Sequence, residues 1–206
     1  MKTSQTNEQA LEAAIEKILT GTNIEELKLQ GVSVDAVNED RDIYRTGKGY
    51  YIGQPVNFNK QFAIDEQFFW SFLENTQKEE LEKIQKQSDW KLKILNRFDR
   101  MIKKYGVLHL LKKGLEVDDA NFTLFYQLPL ASSSQTIKDR FEQNCFSVTR
   151  QLRYSIDNPR EEIDLVLFIN GLPIVTRELK NHWTVQNARE HGQNQYKTQR
   201  DTKKHL

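Results

Sequence analysis

The chain has 206 residues, of which 37% are hydrophobic and 29% charged, with eleven Phe, seven Tyr and three Trp; this is the make-up of a well-solvated domain with a real core, not of a disordered segment. The longest apolar run, Leu165 to Ile169, is too short to span a bilayer, and the polar stretch Met1 to Gln9 does not read as a signal peptide. A formal net charge of +1 excludes a globally basic nucleic-acid binder, and a single cysteine, Cys145, excludes intrachain disulfides and thiolate-rich metal sites. A cytoplasmic location fits both, with Cys145 a plain core residue.

In chain order, Leu11, Ala14, Ile15 and Ile18 recur at helical spacing, predicting a helix over Asn7 to Leu19 that stops at Gly21. Residues 21–60 carry Gly31, Gly47, Gly49, Gly53 and Pro55 and read as loops with short extended pieces. A helix-rich middle follows: Asp65 to Leu73, Lys78 to Gln87, Asp89 to Lys104 with Leu92, Leu95, Phe98 and Ile102 along one stripe, and Val107 to Lys113 before Gly114. Asn121 to Gln127 alternates like a strand and stops at Pro129. Ser132-Ser133-Ser134 leads into a helix through Phe141. Strand-like segments are Cys145 to Arg153, Ile163 to Ile169 and Ile174 to Leu179, the last two joined by Asn170-Gly171, whose tolerance of positive φ is a strong hairpin signal. A final helix is expected from Thr184 to Arg200. The reading is one α/β domain, a mixed sheet flanked by helices, spanning 1–206 with a helical insertion at about 64–115.

Charge is unevenly placed along this frame. Residues 91–113 hold eight Lys/Arg against Asp99 alone, a local +7, and residues 177–206 hold seven against Glu178, Glu190 and Asp201, a local +4. Either segment is able to face a phosphate backbone, or to be a solvated helix face.

The chemistry concentrates in the stretch from Glu162 to Lys180. An apolar hairpin carries Asp164 near its start and Glu178-Leu179-Lys180 at its end. Residues i and i+2 of a strand share a face, so Glu178 and Lys180 emerge together. If Asp164 joins them, two carboxylates and an ammonium converge, a set suited to hard Mg²⁺ or Mn²⁺, to a polarised phosphate and to an activated water. Register sets a condition. With a two-residue Asn170-Gly171 turn, Asp164 falls opposite Arg177, and Glu178 would then point to the other face. An extra residue is therefore expected between Gly171 and Pro173, where the missing N–H of proline is tolerated at an edge or bulge. A zinc site is not expected, because His109, His182, His191 and His205 lack thiolates or close paired spacing.

The string Asp164-Leu-Val-Leu-Phe-Ile-Asn-Gly-Leu-Pro-Ile-Val-Thr-Arg-Glu-Leu-Lys-Asn181 resembles the hallmark hairpin of type I restriction subunits, a branch of the PD-(D/E)xK nucleases. Asn7 to Ile15 is similar to that family's opening helix, Ser147 to Ser155 to the strand before the hairpin, and Gln195 to Asp201 to the helix after it. The resemblance implies a restriction-endonuclease-like fold and Mg²⁺- or Mn²⁺-dependent hydrolysis of double-stranded DNA. Asp164 and Glu178 would be metal ligands, Lys180 the catalytic lysine and Glu12 the acid of the opening helix, with Glu8 the alternative. Arg189, Gln193, Gln195, Tyr196 and Arg200 would face DNA from the last helix, although Gly192 stands where many relatives have glutamine. Ile163 replaces the usual proline before Asp164. Specificity and modification subunits would be partners, and no membrane is involved. ATP would act only through motor domains, whose phosphate-binding loop this sequence lacks. The alternatives are a stand-alone PD-(D/E)xK nuclease and a non-catalytic DNA-binding or assembly module.

Overall fold

The computed structural model describes residues 3–39 and 47–179. They form an α/β structure whose principal sheet has four strands in the order β1 (Tyr51–Ile52), β6 (Phe146–Arg153), β7 (Glu162–Ile169), β8 (Leu172–Arg177). The chain divides into two compact units: residues 1–58, 146–167 and 175–206, and residues 59–145 and 168–174.

In the first unit, α1 (Thr3–Thr20) ends at Gly21, whose φ of +90° stops the helix while its N–H still reaches Lys17. Two short helices then stand where sequence reading expects loops, α2 (Ile24–Gln30) and α3 (Val34–Glu39). Their signals are caps rather than periodicity. Asn23 accepts from the Glu26 N–H at 2.8 Å, left-handed Gly31 closes α2, and Ser33 accepts from the Ala36 N–H at 3.1 Å. Leu27 and Val37 pack with Ile52 of β1 (Tyr51–Ile52). β1 runs parallel to β6 (Phe146–Arg153), Tyr51 beside Ser147 and Ile52 beside Val148. The Asn38 amide donates to the Ile52 carbonyl at 2.9 Å and accepts from its N–H at 3.1 Å. One side chain thus satisfies backbone groups that an edge strand would leave open.

The apolar stripe expected to bury α1 faces the other way. Leu11 and Ile18 are 43% and 62% exposed, while Glu12 and Glu16 are buried at 3% and 0%. α1 packs on β1 and β6, and the inward acids are there because Arg150 of β6 meets them. Periodicity locates a face, but it does not register a buried counterion that lies far along the chain.

The second unit contains the expected helical segment as α4 (Glu66–Thr76), α5 (Lys78–Ile84), α6 (Trp90–Tyr105) and α7 (Val107–Lys113). With the hairpin of β4 (Leu115–Val117) and β5 (Ala120–Phe122) they enclose a core that includes Phe69, Leu73, Ile94, Phe98, Leu110 and Phe122. A small ladder of β2 (Phe58–Asn59) and β3 (Ile64–Asp65) precedes α4. Asp65 caps that helix by accepting from the Phe68 N–H at 3.2 Å.

The strand expected over Asn121 to Gln127 ends at Phe122. Beyond it, side chains replace a neighbouring strand: the Gln77 amide bonds both N–H and C=O of Thr123, and the Asn144 amide does the same for Tyr126. The helix expected after the serines is α8 (Gln135–Glu142), with Ser134 at its N-cap position. Cys145 is half-buried rather than a core residue.

β7 (Glu162–Ile169) and β8 (Leu172–Arg177) form the predicted hairpin. Asn170 and Gly171 have φ of +51° and +78°, the two left-handed positions of a two-residue turn. The loop between the strands has two residues, not the three-residue form of the expected register break. β8 begins at Leu172 and includes Pro173 on the edge strand of the sheet, a place where the missing N–H of proline is tolerated. At the tip, the Asn170 side chain donates to the Leu124 carbonyl and to Asn144 Oδ1, both at 2.9 Å, and accepts from the Cys145 N–H at 2.7 Å.

Among the described residues, no helix is long and apolar enough to cross a membrane.

Candidate active site

Asp164 is the third residue of β7, half-buried between Ile163 and Leu165, which are both buried. Its Oδ2 accepts a hydrogen bond from the Leu179 N–H at 2.5 Å. β8 ends at Arg177, so Glu178 and Leu179 have already left the strand. Outside the strand, alternation does not dictate which way Glu178 faces. Glu178 is half-buried. Lys180 lies outside the described residues, as do Arg189, Gln193, Gln195, Tyr196 and Arg200.

Glu12 lies on α1. Burial pushes its carboxyl up, hydrogen bonding and charge from Arg150 pull it back, and the negative charge of Asp164 raises it further. Gln151 holds a φ of +51° inside β6, a left-handed conformation that costs a non-glycine residue about 1 kcal/mol or more and clusters at functional sites. Glu8, the alternative opening-helix acid, is half-buried one turn earlier.

Arg150 is the residue that sequence reading did not single out. It is 6% exposed. Its Nε donates to Glu12 at 3.2 Å, Nη1 to Glu16 at 3.1 Å and to Glu25 at 2.8 Å, and Nη2 to the Gln9 carbonyl at 3.4 Å. Burial works against its charge, but bonding to Glu25 and Glu16 more than offsets that and holds the guanidinium ionised. Glu16 is raised chiefly by burial, and Glu25 is lowered chiefly by Arg150. The signal was present in Ser147-Val-Thr-Arg150, where an arginine interrupts an otherwise apolar and hydroxyl-bearing strand.

The structure thus bonds Asp164 to the chain at Leu179 and Glu12 to Arg150, and the charge of Asp164 is felt at Glu12. Among the described residues no three His, Cys, Asp or Glu side chains form a ready three-ligand group. The donors present are carboxylate oxygens. That set suits a Mg²⁺ ion, which is bound by one or two carboxylates while retaining several waters.

Comparison with known proteins gives one family. No curated protein and no solved structure matches the chain significantly. The family model described as the type I restriction enzyme R protein N terminus matches residues 57–206. That span takes in β6, the β7–β8 hairpin and the segment to Leu206, and leaves out α1 with Glu12. Covering well over half of the 206 residues, the match shows that the chain belongs to the family of type I restriction enzyme R protein N termini.

Proposed function

We propose that this chain is the DNA-cutting module of a type I restriction enzyme R subunit, a PD-(D/E)xK nuclease domain that hydrolyses phosphodiester bonds of double-stranded DNA with Mg²⁺ or Mn²⁺. The observation that carries the reading is the hydrogen bond from the Leu179 N–H to Asp164, which ties the acid of β7 to the Glu178-Leu179-Lys180 segment. In that segment the Glu178 carboxylate and the Lys180 ammonium stand two residues apart.

In this reading Asp164 and Glu178 would hold the ion, and Glu12 would add negative charge. When bound, a divalent ion would polarise the scissile phosphate and lower the pKa of a coordinated water. Lys180 would orient that water or stabilise charge developing on the phosphate. The Leu179 N–H fixes the carboxylate of Asp164, and Arg150 fixes that of Glu12. Arg189, Gln193, Gln195, Tyr196 and Arg200 would contact DNA from the C-terminal segment. Sequence choice would rest with specificity and modification subunits, and ATP would act through motor domains elsewhere in the enzyme.

The test is cleavage of supercoiled plasmid in the presence of Mn²⁺, with the chain supplied alone and as part of the assembled enzyme. The reading expects Asp164→Ala and Lys180→Ala each to abolish nicking by the assembled enzyme while DNA binding persists. Undiminished nicking by either variant would refute the assignment.

A further inference from the structure

The eight basic residues between 91 and 113 do not behave alike. Lys91, Lys93 and Lys103 are taken by Glu74, Asp118 and Asp99, and the Arg97 Nε donates to the Glu116 carbonyl at 3.1 Å. Arg100, Lys104, Lys112 and Lys113 are exposed and have no carboxylate partner among the described residues. They lie along the junction of α6 and α7, at successive helical neighbours. Arg100 and Lys104 are four apart on α6, and Lys112 and Lys113 stand three and four residues after His109 on α7. The two pairs are joined by a contact: the rings of Tyr105 and His109 stack with centroids 4.7 Å apart across the turn at Gly106. Lys104 Nζ sits 4.8 Å from the Tyr105 centroid.

A structural explanation exists for part of this. Cations in the last turn of a helix complement its macrodipole, contributing about 0.3–1 kcal/mol each. That covers Lys104, Lys112 and Lys113, which stand in the last turns of α6 and α7. It does not account for Arg100, nor for a partly exposed aromatic stack between the two pairs on this ridge that leaves their charges uncompensated by carboxylates. Uncompensated like charges repel, so the ridge is suited to a polyanion. One turn of helix separates neighbouring cations by about 5.4 Å, close enough to meet phosphates of a duplex that presents one charge per roughly 1.7 Å of its axis. Tyrosine and histidine are both able to donate to phosphate oxygens.

We propose that the ridge formed by Arg100, Lys104, Tyr105, His109, Lys112 and Lys113 binds the phosphate backbone of duplex DNA. This contact would be made by the second unit, separate from the residues around Asp164, and it rests on the reading of the chain as a DNA-processing module. The ridge reads no bases, and it holds DNA through charge alone.

The test is fluorescence anisotropy of the full 206-residue chain with a labelled duplex of about 30 base pairs, in EDTA, from roughly 50 to 200 mM salt. The variant R100Q/K104Q/K112Q/K113Q is compared with a control of equal charge change at exposed sites elsewhere, K28Q/K48Q/K86Q/R160Q. The proposal expects the ridge variant to lose at least about tenfold in affinity at the lowest salt. Its log K against log salt should also be flatter by about 3.6, since each of the four lost phosphate contacts removes about 0.9 from the slope. The control should match wild type. Equal losses in both variants, an unchanged slope in the ridge variant, or no wild-type binding would each overturn the proposal. So would equally tight binding of polyglutamate at the same salt, which would make the surface a site for acidic protein. Asp164→Ala serves as the discriminator: full binding by this variant in EDTA, whatever its nicking in Mn²⁺ turns out to be, leaves the ridge intact independently of the nuclease reading.

Discussion

Replacing Arg150 by Met should destabilise the chain by about 3–5 kcal/mol near pH 8. Methionine keeps much of the buried stem but removes the guanidinium. That leaves the carboxylates of Glu12 and Glu16, whose side chains are 5% and 0% exposed, without their cation. Breaking a buried pair by deleting one partner costs about 3–5 kcal/mol, because the remaining charge stays desolvated. The Glu25 contact adds little, about 0–1 kcal/mol, because that carboxylate is half exposed. The cost depends on pH in a fixed direction. Burial raises Glu12 and Glu16 above the ordinary glutamate value of 4.5 in the folded state. The stability these two groups contribute is therefore complete below about that pH and is lost as pH rises through their folded values. Without Arg150 those folded values rise further, so the deficit of the variant should be largest at pH 8 and shrink towards pH 4. Urea melts followed by circular dichroism at the two pH values measure it. The triple variant Arg150→Met/Glu12→Gln/Glu16→Gln should recover most of the loss, since a cluster with no charge left to strand is nearly neutral. A deficit below about 1 kcal/mol at pH 8, or one independent of pH, would refute the account of Arg150 as the counterion of α1.

Two further predictions concern the second unit. Burial raises the Asp65 carboxyl from 3.8 to about 6, so its contribution is complete below pH 3.8 and about 3 kcal/mol is lost as pH rises through 6; Asp65→Asn, which keeps the cap acceptor but cannot ionise, should gain on wild type between pH 4 and pH 7, and equal stability differences at both would refute this. Gly171→Ala should cost at least about 2 kcal/mol by chemical denaturation, because φ is +78° and a Cβ would lie 2.5 Å from the Asp65 carbonyl oxygen and 2.6 Å from the Phe69 nitrogen; a loss under about 1 kcal/mol would show that the hairpin tip has room to move.

Much of the fold could be read from residue patterns because its signals are local. Asn170-Gly171 specified a two-residue turn, and the apolar spacing of Leu95 and Phe98 located α6. What escaped was set by partners distant in sequence. α1 was read by its apolar stripe, whereas Arg150 turns the acidic face inward. The alternation after Phe122 looked like a strand, but Gln77 and Asn144 take up the backbone there. Asn170-Gly171 gives a two-residue loop rather than a three-residue one, and β8 ends at Arg177, with the Leu179 N–H beyond it bonded to Asp164. Asp164 was legible because an acid interrupts an apolar strand; the role of Arg150 was not, because its three acids lie in two other helices.

The central claim is that Asp164 and Glu178 hold a divalent ion. Isothermal titration of Mn²⁺ into the 206-residue chain tests it most directly, run in parallel on wild type, Asp164→Ala, Glu178→Ala and the distant control Asp139→Ala. The account predicts saturable binding to wild type and the control, and an affinity loss of tenfold or more in each of the other two. Indistinguishable titrations for wild type, Asp164→Ala and Glu178→Ala would contradict it.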